Sequence, residues 1–196
     1  MTSGEALWRD IEASRVAERG FYQIERTVAE AVSRSEGLDF TLDPLDDADA
    51  VLLMGAPDGT EIDEWRPVLQ QALARNLSIH CSSPDQTRPR ADVFAISPGV
   101  LAQTYESLDG QVHYRGKPCR PVLDALKNTL NAWRPLMIGD IMEHDIAGEA
   151  HAGLDSAHIQ NGTYRDRLAE DDAESAILDL SAIYAVSPTF ALSGIA

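Results

Sequence analysis

Apolar positions along this chain keep changing period. Ala50-Val51-Leu52-Leu53-Met54-Gly55 is an unbroken apolar run ending at glycine, the pattern of a strand buried on both faces of a parallel sheet. Downstream, Ile62, Trp65, Val68, Leu69, Ala72 and Leu73 recur at helical spacing, so 61–76 reads as an amphipathic helix. Pro67 belongs only in a first turn, so the regular part is expected to begin close to it. The same alternation runs through the chain. Strands are expected at 21–24, 77–81, 112–116, 136–139, 157–159 and 183–186. Helices are expected at 5–14, 25–35, 99–108, 121–131, 145–152 and 173–180. Strands alternating with helices build βαβ units, so the predicted class is α/β with a mostly parallel sheet. The polar, proline-containing stretch from Ser82 to Arg90 reads as a loop and a domain boundary.

Composition adds charge to this picture. The chain has 196 residues, 44% hydrophobic, with 16 Lys plus Arg against 32 Asp plus Glu, a formal net charge of −16. Such a chain repels phosphate backbones and anionic lipid, so neither a nucleic acid nor a membrane is an expected partner. Cys81 and Cys119 form no CxxC pair and no disulfide framework, which suits a cytoplasmic setting. The first residues do not lead one to expect a secretory signal, and no run of about 20 apolar residues occurs in the sequence.

Two places concentrate chemistry. In Leu136-Met137-Ile138-Gly139-Asp140 an apolar strand runs straight into Gly-Asp, and Asp145 follows five residues later at an expected helix start. Ligands of parallel sheets sit at the carboxyl ends of strands, so Asp140 is delivered to a cleft edge and Asp145 to its mouth. Two hard oxygen ligands suit Mg²⁺, which keeps waters and shares its shell with phosphate. The same residues also read as a turn cap and a helix cap, because Asp is a favoured N-cap. The second place is Val112-His113-Tyr114-Arg115-Gly116-Lys117-Pro118, where a Lys is held between a strand end and a proline. An ammonium there neutralises a phosphoryl group as a point charge, although a single Lys in a turn is commonly just a surface residue. Serine-hydrolase, P-loop and zincin motifs are absent.

Taken together, Gly116-Lys117-Pro118, then a helix, then a strand ending Gly139-Asp140 with Asp145 beyond, resemble the back half of the haloacid dehalogenase-like (HAD) hydrolases. Ile96-Ser97-Pro98-Gly99, His144-Asp145-Ile146-Ala147-Gly148, Ala152-Gly153-Leu154-Asp155 and Asn161-Gly162 look like the type IIA subgroup. Thr2-Ser3-Gly4-Glu5 and Cys81-Ser82-Ser83-Pro84-Asp85 resemble the start and end of that subgroup's α/β cap. The resemblance implies a cap domain at 1–85 and the C-terminal part of a Rossmann-like HAD core at 86–196. It also implies Mg²⁺-dependent hydrolysis of a small phosphorylated metabolite. Lys117 then takes a catalytic and phosphate-binding role beside Gly116, Asp140 holds the metal, and Asp145 supports both.

One part of the family pattern is not found in these residues. The family's nucleophile lies in a D-x-D motif at the end of the first core strand. The only such tripeptide here, Asp47-Ala48-Asp49, precedes its strand. The expectation is a HAD-type phosphatase truncated before its nucleophile and inactive alone, or else a non-catalytic module that keeps the fold. A sheet edge left open by missing strands would pair with a second copy or with a separate chain carrying the N-terminal half of the core.

Overall fold

The computed structural model describes residues 7, 11, 17–25, 39–89, 94–120, 122–124, 127, 134–170 and 172–194. The helix expected at 25–35, Glu25 apart, and most of those expected at 5–14 and 121–131 lie outside them. The described residues form two compact units, Met1–Gly116 and Lys117–Ala196.

The first unit is built on a five-stranded, all-parallel sheet. Its strands are β1 (Gly20–Ile24), β2 (Thr41–Leu42), β3 (Ala50–Leu53), β4 (Ser78–Cys81) and β7 (Val112–Tyr114), in the order β2-β1-β3-β4-β7. Every residue of β3 is buried. Val51 and Leu53 pack into one cluster with Leu69 and Ala72 of helix α1 (Ile62–Ala74) and with Leu101, Ala102 and Tyr105 of helix α2 (Pro98–Glu106). Ala50 and Leu52 pack into a second cluster with Leu7, Ile11 and Phe21. The continuous apolar run is thus explained by burial on both sides of the sheet.

Helix α1 starts earlier than the proline suggested. Glu61 and Glu64 close a capping box, which fixes the start at Ile62 and leaves Pro67 inside the helix. Tyr105 ties α2 to the sheet by donating its hydroxyl to the Leu77 carbonyl at 2.6 Å. Gly110 is what makes room, since a Cβ there would lie 2.3 Å from the Tyr105 ring. Within the stretch read as a loop, Thr87–Pro89 (β5) forms a short antiparallel pair with Phe94–Ile96 (β6).

The second unit carries a three-stranded parallel sheet in the order β10-β9-β8. These strands are β8 (Leu136–Gly139), β9 (Asp155–Ile159) and β10 (Phe190–Leu192). A π-helical turn, Met142–Ile146, leads into α3 (Ala147–Ala152), and α4 (Arg165–Glu170) and α5 (Ala173–Tyr184) follow. Met142, Ile146, Leu168, Ala176 and Leu180 form its core.

Two expectations change in this unit. Ile183-Tyr184-Ala185-Val186 is not a strand: Leu180 is in the core and Tyr184 packs against it, so α5 runs on to Tyr184 and ends where Ala185 turns left-handed at φ 53°. The last strand is instead Phe190–Leu192. Among the described residues no helix is long and apolar enough to cross a membrane.

Candidate functional site

The carboxyl end of β8 gathers three of the residues expected to carry chemistry. Asp145 lies inside the π-helical turn Met142–Ile146 and not at the start of a helix as its spacing suggested. Its carboxylate folds back toward the strand it followed. Oδ2 accepts the backbone N–H of Asp140 at 3.2 Å and of Ile141 at 3.1 Å. Oδ1 accepts the ammonium of Lys117, which is bonded to the preceding end of a cis Lys117–Pro118 peptide. Asp145 is buried, whereas the Lys117 side chain keeps 38% of its surface exposed. The ammonium therefore remains within reach of an incoming anion, because it has three donors and Asp145 accepts one of them.

Gly139 is required by this arrangement: a Cβ there would stand 2.3 Å from the Asp145 carboxyl carbon. Gly162 serves Asp140 in the same way, with a virtual Cβ 2.3 Å from the Asp140 Cβ. Asp140 Oδ2 accepts both the Thr163 backbone N–H, at 2.7 Å, and the Thr163 hydroxyl, at 2.6 Å. Burial disfavours the Asp140 charge, but the two bonds from Thr163 outweigh it and hold the carboxyl below its ordinary range. Asp140 is therefore an anion at neutral pH.

The donor set bears on whether a metal fits. Both Asp145 oxygens are occupied by hydrogen bonds, whereas both bonds from Thr163 fall on Asp140 Oδ2 and neither on Oδ1. Among the described residues no three His, Cys, Asp or Glu side chains converge on one point. One ionised carboxylate oxygen fits a single position of a Mg²⁺ shell, with the remaining ligands supplied by water, phosphate or other protein groups.

Two buried groups beside these residues carry no obvious motif. Glu149, on α3, is fully buried, and neither of its carboxyl oxygens finds a hydrogen-bond partner among the described residues. Burial, reinforced by the Asp145 carboxylate, pushes its carboxyl up to about 8, against the pull of Lys117. His158 lies opposite Gly139 in the β8–β9 ladder and is also fully buried. Burial lowers its imidazole below the ordinary value, while Asp140 and Asp145 oppose the shift. Glu149 sits in the small-residue run Ala147-Gly148-Glu149-Ala150, and a charge among small helical residues was the available signal. Thr163 follows Asn161-Gly162, and its contact with Asp140 spans 23 residues that no local pattern reports.

Gly116 belongs to the first unit, where a Cβ would lie 2.1 Å from the Ser82 carbonyl oxygen, so it allows close backbone packing there. Asp47-Ala48-Asp49 stands at the amino end of β3. Asp49 Oδ2 accepts the backbone N–H groups of Gly20 and Arg19, each at 3.0 Å. Those two bonds lower its pKa. Asp49 is therefore committed to anchoring the start of β1.

Comparison with known proteins gives a consistent picture. Residues 114–181 match the model of the HAD-hydrolase-like family. No curated protein sequence matches the chain. A hydrolase of the haloacid dehalogenase-like family from Brucella suis 1330 superposes with a TM-score of 0.70 at 28% identity, over 83% of this chain and 64% of its own. A p-nitrophenyl phosphatase from Archaeoglobus fulgidus gives a TM-score of 0.74 at 16% identity, over 98% and 70%. A glycerol phosphate phosphatase from Mycobacterium tuberculosis, solved in complex with magnesium, gives 0.74 at 20% identity, over 97% and 55%. The chain thus spans less than two thirds of the Brucella hydrolase, and its α/β fold is that of HAD-like proteins with part of the core represented.

Proposed function

We propose that this chain is the cap and C-terminal core portion of a HAD-type phosphatase of the type IIA subgroup, acting on a small phosphorylated metabolite in the cytoplasm. The observation that carries the reading is the Lys117 ammonium resting on buried Asp145, with ionised Asp140 held beside them by Thr163. Residues 1–85 then act as the cap that selects the leaving group, and 86–196 as the reacting half.

In this reading Lys117 offers its remaining donors to the phosphoryl oxygens, and Asp145 fixes where that ammonium points. Asp140 would hold Mg²⁺ through Oδ1, the carboxylate oxygen that Thr163 leaves alone, and the metal would supply charge neutralisation on the phosphoryl group. The attacking carboxylate comes from a segment outside these residues, because Asp47 and Asp49 stand at the wrong end of a strand. That segment enters as a strand alongside β8. Among the described residues β8 is paired on one side only, and its Leu136 and Ile138 side chains are 47% and 46% exposed. A second reading, a non-catalytic module keeping the fold, is favoured by the position of Asp49 alone.

The test is hydrolysis of an aryl phosphate with Mg²⁺. The chain alone is expected to stay at background. Adding in trans a segment that ends a strand in Asp-x-Asp restores turnover. Lys117→Ala or Asp140→Asn then lowers it by about 10³-fold, the usual loss of a charge-stabilising group. Turnover by the chain alone that disappears in Asp140→Asn overturns the missing nucleophile. A segment that binds without restoring turnover favours the non-catalytic reading.

A further inference from the structure

Thr163 sits in a turn that the second unit anchors on both sides. It follows Asn161 and Gly162 beyond the end of β9. The Gly162 carbonyl accepts the Arg165 N–H at 3.1 Å, at the start of α4. Asn161 lies against Gly194, just past β10, where a Cβ would stand 2.6 Å from the Asn161 amide nitrogen. The fold therefore places Thr163 through contacts that do not involve Asp140, and Gly162 lets the Asp140 side chain come up to it.

Both donors of Thr163 fall on the same atom. Its backbone N–H reaches Asp140 Oδ2 at 2.7 Å, and its hydroxyl reaches Oδ2 at 2.6 Å. A carboxylate oxygen carries two lone pairs, so these two bonds fill Oδ2. Neither falls on Oδ1. The two oxygens of one carboxylate are thereby made unequal, and that matters to a divalent cation. Ca²⁺ gathers about six to eight oxygens in a flexible shell and often grips a carboxylate by both of its oxygens. Mg²⁺ is smaller and demands near-octahedral geometry, which a single carboxylate oxygen satisfies. Carboxylate and water ligands by themselves suit either ion, so a site that prefers one needs a further device.

We propose that Thr163 is a positioning residue for metal choice: by filling Oδ2 it restricts Asp140 to one-oxygen coordination and biases the site toward Mg²⁺ and against Ca²⁺. This role rests on the proposed metal-ligand reading of Asp140 and adds which ion the chain disfavours. Mg²⁺ gives up nothing, because Oδ1 is all it needs from this side chain. Ca²⁺ must either forgo one ligand or displace a hydrogen bond to an ionised oxygen, one of the stronger kinds. The preference thus comes from a contact denied to the wrong ion, with no added contact to the right one.

The test is titration of the 196-residue chain with Mg²⁺ and, separately, with Ca²⁺ at fixed ionic strength, followed by the backbone amide resonances of Asp140, Ile141 and Thr163. The wild type is expected to show saturable shifts at these amides with Mg²⁺ in the millimolar range. Thr163→Val keeps the side-chain shape and the backbone N–H but removes the hydroxyl. It is expected to raise the ratio of Ca²⁺ affinity to Mg²⁺ affinity by about tenfold, the low end of what a hydrogen bond to a charged group is worth. Thr163→Ser keeps the hydroxyl and is expected to keep the wild-type ratio. Asp140→Asn is expected to abolish the shifts with both ions. A ratio left unchanged by Thr163→Val, including an equal loss of both affinities, overturns the proposal while Asp140 stands as the ligand. Shifts that survive Asp140→Asn, or a wild type that shows none, overturn the ligand reading of Asp140 and the proposal with it. If Thr163→Val fails to fold by circular dichroism, Thr163→Ala removes the same hydroxyl and decides.

Discussion

The Lys117 ammonium and the Asp145 carboxylate meet across 28 residues of chain, and the other oxygen of Asp145 closes the turn after β8 through two backbone N–H groups. One buried side chain thus shapes a loop and aims a cation. Asp145→Ala is expected to cost about 2–4 kcal/mol, because it strands two backbone donors and leaves Lys117 without its anion. Lys117→Met is expected to cost less, about 1–2 kcal/mol, because the buried Asp145 carboxylate it leaves behind keeps its two backbone donors. Urea unfolding of the two variants checks the order; equal losses would show that the ion pair, and not the backbone capping, holds the turn.

Gly162→Ala would put a methyl group on the Asp140 side chain. The expected result is displacement of Asp140 from Thr163 and a loss of about 1–3 kcal/mol from overpacking. The backbone amide resonance of Thr163 reports the displacement directly. An unshifted Thr163 amide would refute the tight packing described here.

Glu149 sets one limb of the pH dependence. Its folded pKa of about 8 lies above the ordinary carboxyl value of 4.5, so the folded state holds a proton that the unfolded state releases. Its contribution is complete below about pH 4.5 and declines as pH rises toward 8. Glu149→Gln is expected to flatten the fall in melting temperature across that window. A wild-type profile that the substitution leaves unchanged would contradict the neutral carboxyl.

His80 sets a limb of opposite sign in the first unit. Burial, then the Arg115 and His113 charges, lowers its imidazole to about 4. The folded state keeps it neutral, so its contribution is complete above pH 6.5 and is lost as pH falls toward 4. His80 rests edge-on against Phe21, with centroids 5.8 Å apart, so phenylalanine is a fair replacement. His80→Phe is expected to reduce acid sensitivity between pH 6.5 and 4, read by melting temperature. Undiminished acid sensitivity would point to other groups.

The parallel architecture was legible because period and length agree at each apolar run, most clearly in Ala50–Leu53. The misreadings have local causes. Ile183-Tyr184-Ala185-Val186 has the composition of a strand, but its tertiary partners are the helical core residues around Leu180. Phe190–Leu192 is too short to announce itself, and it forms because β9 offers a ladder. That Asp140 directly follows a strand could be read from the apolar run into Gly139-Asp140, whereas Lys117 lies three residues beyond β7 and Asp145 inside the π-helical turn. The roles of Thr163, Glu149 and His158 could not, because each depends on contacts made only after the second unit has folded.

Strand β3 sits between two apolar clusters with no side chain reaching solvent. Its amides can meet deuterium only when the first unit opens as a whole, so exchange at Val51 and Leu52 is a direct clock for that event. A ligand that binds only the closed first unit slows this clock by a factor of 1 + [L]/Kd, which turns four buried residues into a binding assay.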